Sequence, residues 1–306
     1  MKDDPRRVLL FRRDFRGLTG GHLKVWHYFQ HAGASRRFVP RIHLTPGSLG
    51  VPGNPWANVK PPPEPEWRPA DGGVLFLAGL DWEAVPNPAP RPVINLIQHI
   101  RHGDVGDPRR PYLARPAIRI CVSEEVATAI TATGEVNGPV HVIPNGIDLD
   151  QIPCADHRDI GVLIAGAKNP TLATAVQAWL AREGVPARLL TGMVPRAEFL
   201  HLLSRAEVAV TIPHQHEGFF LPALEAMAAG AVVVCPDCVG NRGFCLDGQT
   251  CFRPPYELGA LSRSAIRAAR LAAGERAGLC QAARNQAVLH GLEAEQAAFL
   301  RILDAV

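Results

Sequence analysis

Glu217 and Glu225 stand eight residues apart in HQHEGFFLPALEAMAAG (214–230), a stretch otherwise nearly without charge. A carboxylate left unpaired in a protein interior costs several kcal/mol, so each must meet a cation, hydrogen-bond donors or a ligand. Pro222 is tolerated in the first turn of a helix and Gly230 is a natural stop. The pattern therefore predicts a helix over 222–230, with Glu217 in the loop before it and Glu225 about one turn inside. Gly218 between them lets the backbone approach a bound group, and the open N–H groups of a helix start suit a phosphate. Vicinal ribose hydroxyls would satisfy Glu225; by spacing alone, a buried salt bridge satisfies it as readily.

Four other stretches carry chemistry. IAGAKNP (164–170) puts Lys168 just before a helix start, where it can face an anion or solvent. GLTGGHLKV (17–25) offers Gly20 and Gly21 in a turn opening a helix, free to expose backbone N–H groups or simply to turn tightly. NLIQHIRHGD (95–104) ends an apolar run in His99, Arg101 and His102. Histidine near neutral pH handles protons or donates to sugar hydroxyls, and a satisfied loop histidine is the alternative. CVGNRGFCLDGQTC (238–251) is glycine-rich, with Gly240 and Asn241 near its start and Asp247–Gly248 as a turn.

The elements that must hold these residues alternate between short apolar strands and amphipathic helices, the mark of a parallel α/β protein. Strands are expected at 7–11, 38–44, 74–79, 93–98 and 117–123, with helices at 22–33 and 124–133. Prolines 46, 52, 55, 61, 62, 63, 65 and 69 make 45–72 an irregular excursion, and so long a loop is usually functional or an insertion. After a strand ending in a turn at 140–150, a second series begins. Strands at 160–166, 187–192, 207–213 and 231–235 alternate with helices at 169–184, 195–206 and 222–230, and residues 256–306 read as helical. The expected organisation is two Rossmann-like domains facing across a cleft. Residues 1–143 form the first domain, 144–285 the second, and 286–306 a helix near the interdomain region.

A chain of 306 residues with 47% hydrophobic and 20% charged residues is that of a globular enzyme. No apolar run approaches the roughly 20 residues that span a bilayer, and the N-terminus does not read as a signal peptide; the expected location is cytoplasmic. Residues 1–60 hold eleven Lys/Arg against three Asp, while the whole chain carries +3. That basic face can meet an anionic membrane surface or a phosphorylated substrate, or be an ordinary solvent face. No groove-binding motif argues for nucleic acid. Cys235, Cys238, Cys245 and Cys251 fall within seventeen residues, but their spacing departs from paired C-x2-C zinc sites and favours reduced, buried packing.

The run EGFFLPALEAMAAGAVVV (217–234) resembles the E-x7-E signature of GT-B nucleotide-sugar glycosyltransferases, especially the retaining family four, or group one. VIPNGID (142–148) is similar to that family's interdomain segment and ICVSEEVATAI (120–130) to the strand and helix before it. The resemblance implies transfer of a sugar from a nucleoside diphosphate donor to an unidentified acceptor with retention of configuration, without a cofactor or metal. It implies that Glu225 binds ribose, that Glu217 sits at the transferred sugar, and that the Gly218–Phe219–Phe220–Leu221 backbone lies beside sugar and phosphate. Lys168 would meet the diphosphate. The family's companion arginine is missing, leaving Arg196 or Arg242 as replacements. Gly20 and Gly21 would approach donor phosphate, Asn241 the sugar, and His99 the reacting centre, with His102 and Arg101 towards the acceptor. A nucleotide-sugar epimerase, a phosphorylase or a non-catalytic sugar-binding subunit would share the fold.

Overall fold

The computed structural model describes residues 5–48, 54–153, 155 and 157–306. They divide into two compact units, Met1–Asn145 with Glu293–Val306, and Gly146–Leu292. Both are parallel α/β sheets, as the alternation of strands and helices leads one to expect.

In unit 1, six parallel strands stand in the order β2-β1-β3-β4-β5-β6. They are β1 (Arg7–Arg13), β2 (Phe38–Leu44), β3 (Val74–Ala78), β4 (Val93–Ile97), β5 (Ile118–Cys121) and β6 (Val140–Val142). Helix α1 (Gly20–Gly33) connects β1 to β2, and α2 (Glu124–Thr131) follows β5. Alternate side chains go to opposite faces: Leu10, Leu75 and Leu77 meet Trp82 on one side, while Phe11 stacks on Phe76 on the other, ring centroids 4.5 Å apart. Part of the proline-rich excursion belongs to this core, because Trp56 is fully buried and packs edge-on to Phe15 and Trp26. Residues 49–53 of that excursion lie outside the described residues.

Unit 2 has four parallel strands in the order β10-β9-β7-β8, namely β7 (Ile160–Ala165), β8 (Ala187–Leu190), β9 (Ala206–Thr211) and β10 (Val232–Val234). Val162, Ile164, Val208 and Val210 face α3 (Pro170–Arg182) and α6 (Leu258–Ala269). Leu163, Ala209 and Val233 face α4 (Arg196–Arg205), α5 (Leu221–Ala228) and α7 (Ala273–Val288). Strands covered on both faces read as continuous apolar runs for this reason.

The C-terminal segment differs from the expected boundary. α7 runs past 285 because Ala283 and Ala287 belong to the same core as α5, whereas α8 (Leu292–Ala305) packs into unit 1. Phe299 of α8 lies edge-on to Tyr28, centroids 4.8 Å apart, and to Phe76. Beside it Glu295, 2% exposed, pairs with Lys24 and meets His31 Nε2 at 3.0 Å, while Lys24 Nζ lies 3.0 Å from His27 Nδ1. Removing one partner of such a buried pair strands the other charge. Glu295→Ala should therefore lower unfolding stability by about 3 kcal/mol in urea titrations; an unchanged midpoint would show that α8 is held by its apolar face alone.

Candidate active site

All strands of a parallel sheet end at one edge, and ligands of open α/β sheets bind there, where the chain leaves adjacent strands in opposite directions. In unit 2 the chain leaves β7 for β8 on one side and then returns to place β9 on the other. The crevice therefore lies between the loops that follow β7 and β9. Lys168 is on the first and Glu217 on the second, and their Nζ and Oε1 are 2.9 Å apart. The two residues that sequence reasoning placed at diphosphate and sugar thus bridge the switch point.

The loops around this pair are held from below. Gly166 admits the close approach of α3 to β7, since a Cβ there would lie 2.0 Å from that of Ala173. Asn169 caps α3 by accepting from the Leu172 N–H at 3.1 Å, and its amide lies 3.4 Å from the Tyr256 hydroxyl. Tyr256 donates in turn to the Pro213 carbonyl at 2.6 Å, tying the two loops of the crevice together. On the far side, the Phe220 N–H donates to the Gly240 carbonyl at 2.9 Å. A Cβ on Gly240 would stand 2.6 Å from the Glu217 carbonyl oxygen, so only glycine allows the loops to touch.

Helix α5 starts at Leu221, one residue before the expected Pro222, and its buried side chains include Glu225, 1% exposed. Arg196, the first residue of α4, reaches it with Nη1 2.5 Å from Oε1. Both readings of Glu225 meet here: it has a salt bridge, and the bridge lies on the element that carries the crevice. Of the two arginines considered as replacements at the diphosphate, Arg242 is drawn to Asp237 at 2.7 Å and Arg196 is on Glu225. A lone carboxylate on an apolar helix signalled that some cation was needed; the identity of that cation depends on the packing of α4 against α5, which no local pattern shows.

Asn241, expected beside the transferred sugar, has its side chain engaged within its own loop. It is fully buried, donates to the Pro236 carbonyl at 2.9 Å and to Cys235 Sγ at 3.1 Å, and accepts from the Cys238 N–H at 3.2 Å. The four clustered cysteines are free and buried. Among the described residues no group of three or more His, Cys, Asp or Glu is arranged to hold a metal. The D-x-D triplet Asp148–Leu149–Asp150 forms a turn, with Asp148 accepting from the Asp150 N–H at 3.2 Å and from Gln151 Nε2 at 2.7 Å.

In unit 1 the corresponding switch point lies between β1 and β3. Gly20 and Gly21 are in the first turn of α1, which starts two residues before the expected position because the Thr19 hydroxyl caps it by accepting from the His22 N–H. The Gly21 carbonyl accepts from Gln98 Nε2 at 3.3 Å. His99 accepts from the Arg101 N–H through Nδ1 at 3.1 Å, which caps the short turn Ile100–Gly103. His102 is buried, and desolvation followed by Arg109 lowers its pKa to about 3, which holds the ring neutral near pH 7. Arg101 is exposed. His22, which directly follows the glycine pair, was missed. Burial and then Arg13 lower its pKa to about 4. Arg13 Nη2 lies 3.3 Å from His22 Nδ1; arginine can only donate, so Nδ1 accepts and the ring proton sits on Nε2.

Residues 147–270 match the protein family described as Glycosyl transferases group 1. Unit 2 carries a group 1 glycosyltransferase domain. By that domain the chain is a glycosyltransferase. No curated protein matches the sequence. Among solved structures, the chain is similar to Anabaena Alr3699/HepE in complex with UDP-glucose at 13% identity, with TM-score 0.71, covering 98% of this chain and 100% of that one. It is similar to the sucrose-phosphate synthase of Thermosynechococcus elongatus at 12% identity and TM-score 0.72, covering 98% and 99%. A glycosyltransferase from Rickettsia africae ESF-5 gives 11% identity and TM-score 0.70, covering 98% of each chain. These identities speak for the fold, two Rossmann-like domains of the GT-B type.

Because the folded state holds His22 and His102 neutral, the unfolded chain takes up protons first as pH falls below about 6.5. Stability should therefore decline between pH 6.5 and 4, and NMR titration should place the His22 midpoint about 4 and that of His102 about 3. Midpoints near 6.5 would show that neither ring is desolvated.

Proposed function

We propose that the chain transfers a sugar from a nucleoside diphosphate sugar, held by unit 2, to an acceptor held by unit 1, with retention of anomeric configuration. The observation that carries this reading is the Lys168–Glu217 pair across the β7/β9 crevice, with Glu225 buried about one turn into the helix that follows. The bound UDP-glucose of the Anabaena protein supports the same donor class.

In this reading the diphosphate takes Lys168 as its counter-ion. A lysine moving from Glu217 to phosphate frees the carboxylate for the hydroxyls of the transferred sugar, beside the Gly218–Phe219–Phe220–Leu221 backbone. Glu225 accepts from the ribose hydroxyls while Arg196 keeps it ionised and aimed. As the bond between anomeric carbon and phosphate oxygen breaks, its electrons go to the diphosphate, where Lys168 stabilises the developing charge. The acceptor oxygen bonds the anomeric carbon on the face the diphosphate leaves, and its proton passes to the departing phosphate oxygen. His99, with Nδ1 engaged, donates from Nε2 to a sugar hydroxyl. Lys168 meets the charge of the leaving group, so the reaction proceeds without a resident metal and survives EDTA.

No helix of the described residues is long and apolar enough to cross a membrane. We assign the basic surplus of residues 1–60 to the acceptor side, with peripheral contact to an anionic membrane face on the cytoplasmic side as part of the same reading.

A thermal-shift screen of UDP-, GDP-, ADP- and dTDP-sugars tests it. At a hundredfold excess over Kd the true donor stabilises by about 2.7 kcal/mol. Lys168→Ala and Glu225→Gln should each weaken that donor by at least tenfold, and product NMR should show the donor's own anomer. Donor binding insensitive to both substitutions would move the site elsewhere, and an inverted product would remove the mechanism.

A further inference from the structure

At the carboxyl edge of unit 1, between β1 and β3, two consecutive arginines meet one carboxylate. Arg13 Nη1 lies 2.7 Å from Asp81 Oδ2, and Asp81, in the short turn Gly79–Ala84 after β3, also accepts from the Ala78 N–H at 3.0 Å. Arg13 further donates to the Ala78 carbonyl and meets His22. Its two terminal nitrogens thus join β1, β3 and the start of α1. Arg12 differs: its Nη1 reaches Asp81 Oδ1 only at 3.6 Å, beyond hydrogen-bond distance. Its Nε, like that of Arg13, is buried with no hydrogen-bond partner among the described residues.

The Arg12 side chain, 22% exposed, belongs to a cluster in which Arg12, Arg13 and Arg16 face Asp14 and Asp81, so a positive surplus remains. The terminal N–H groups of a guanidinium fork fit the oxygens of a phosphate. His22 adds a neutral donor, because Arg13 occupies Nδ1 and leaves the proton on Nε2. The contacts His22–Arg13–Asp81–Arg12 run continuously, so both donors belong to one edge. Leu18 and Leu80, exposed on the loops after β1 and β3, flank it with apolar surface.

We infer that the β1/β3 edge of unit 1 recognises a phosphate ester bearing an apolar group, through Arg12 with His22 beside it. Resting on the glycosyltransferase reading, this makes the acceptor a phosphate-bearing amphiphile and Arg12 its specificity residue. The same chemistry is offered by a soluble phosphomonoester and by a lipid phosphate.

The test uses the full chain in the presence of saturating UDP, which occupies the donor site in unit 2. Phenyl phosphate is titrated by calorimetry, and vesicles of phosphatidic acid in phosphatidylcholine are tested by co-sedimentation. Wild-type protein should bind one or both probes. Arg12→Gln should weaken binding at least tenfold, and Arg12→Lys, which keeps the charge and loses the fork, should give an intermediate loss. Phenyl phosphate bound without vesicles assigns a soluble acceptor. Vesicle binding lost in both Arg12→Gln and a Leu18→Ser/Leu80→Ser variant assigns a lipid phosphate. Binding unchanged by both Arg12 substitutions, or no binding of either probe, overturns the inference. Should Arg12→Gln unfold by circular dichroism, Arg12→Lys alone decides it. If UDP fails to bind wild-type protein, it is the donor reading that fails; direct phenyl phosphate titration without UDP still compares the Arg12 variants.

Discussion

A carboxylate on a buried apolar helix cannot stand alone, and the arrangement of unit 2 follows from meeting that demand. Glu225, 1% exposed on α5, requires a cation. Arg196 supplies it from the first residue of α4, which fixes the register of α4 against α5. α5 in turn follows the loop carrying Glu217, whose carboxylate is held by Lys168 across the switch point. Two ion pairs thus set the positions of both signature glutamates before any ligand arrives. In the proposed reading the Lys168 ammonium is also the group an anionic nucleotide recruits, so one charge both preorganises the crevice and meets the donor.

Unit 1 applies the same physics with different residues. The Arg13–Asp81 pair spans its own switch point between β1 and β3, and the buried Glu295–Lys24 pair binds α8 to α1. In the first case a second arginine, Arg12, leaves a surplus of positive charge at the strand edge. In the second the pair is buried beside Tyr28, away from solvent. Burial and charge count, rather than residue type, separate the structural ion pair from the functional one.

Most of the architecture was legible because doubly covered strands are short apolar runs and the helices between them keep a 3.6-residue period. Glu217, Lys168 and Gly240 were legible too: each lies in a loop beside a recognisable strand or helix. What local pattern could not show was who meets whom. Arg196 was visible as a spare cation but not as the partner of Glu225, twenty-nine residues away. Nor did local pattern show that the carboxamide of Asn241 holds residues 235–241 together. His102 read either as a proton handler or as a satisfied loop histidine, and its burial within the turn Ile100–Gly103 is not visible in local pattern. α8 returned to unit 1 through the long-range fit of Phe299 against Tyr28.

Hydrogen exchange with and without the donor that most stabilises the protein tests the central claim most directly. The account predicts slowed exchange of backbone amides in 166–170 and 214–221, the two loops joined by Lys168 and Glu217, and loss of that protection in Lys168→Ala. Protection confined to other segments, or unchanged protection in the variant, would contradict it.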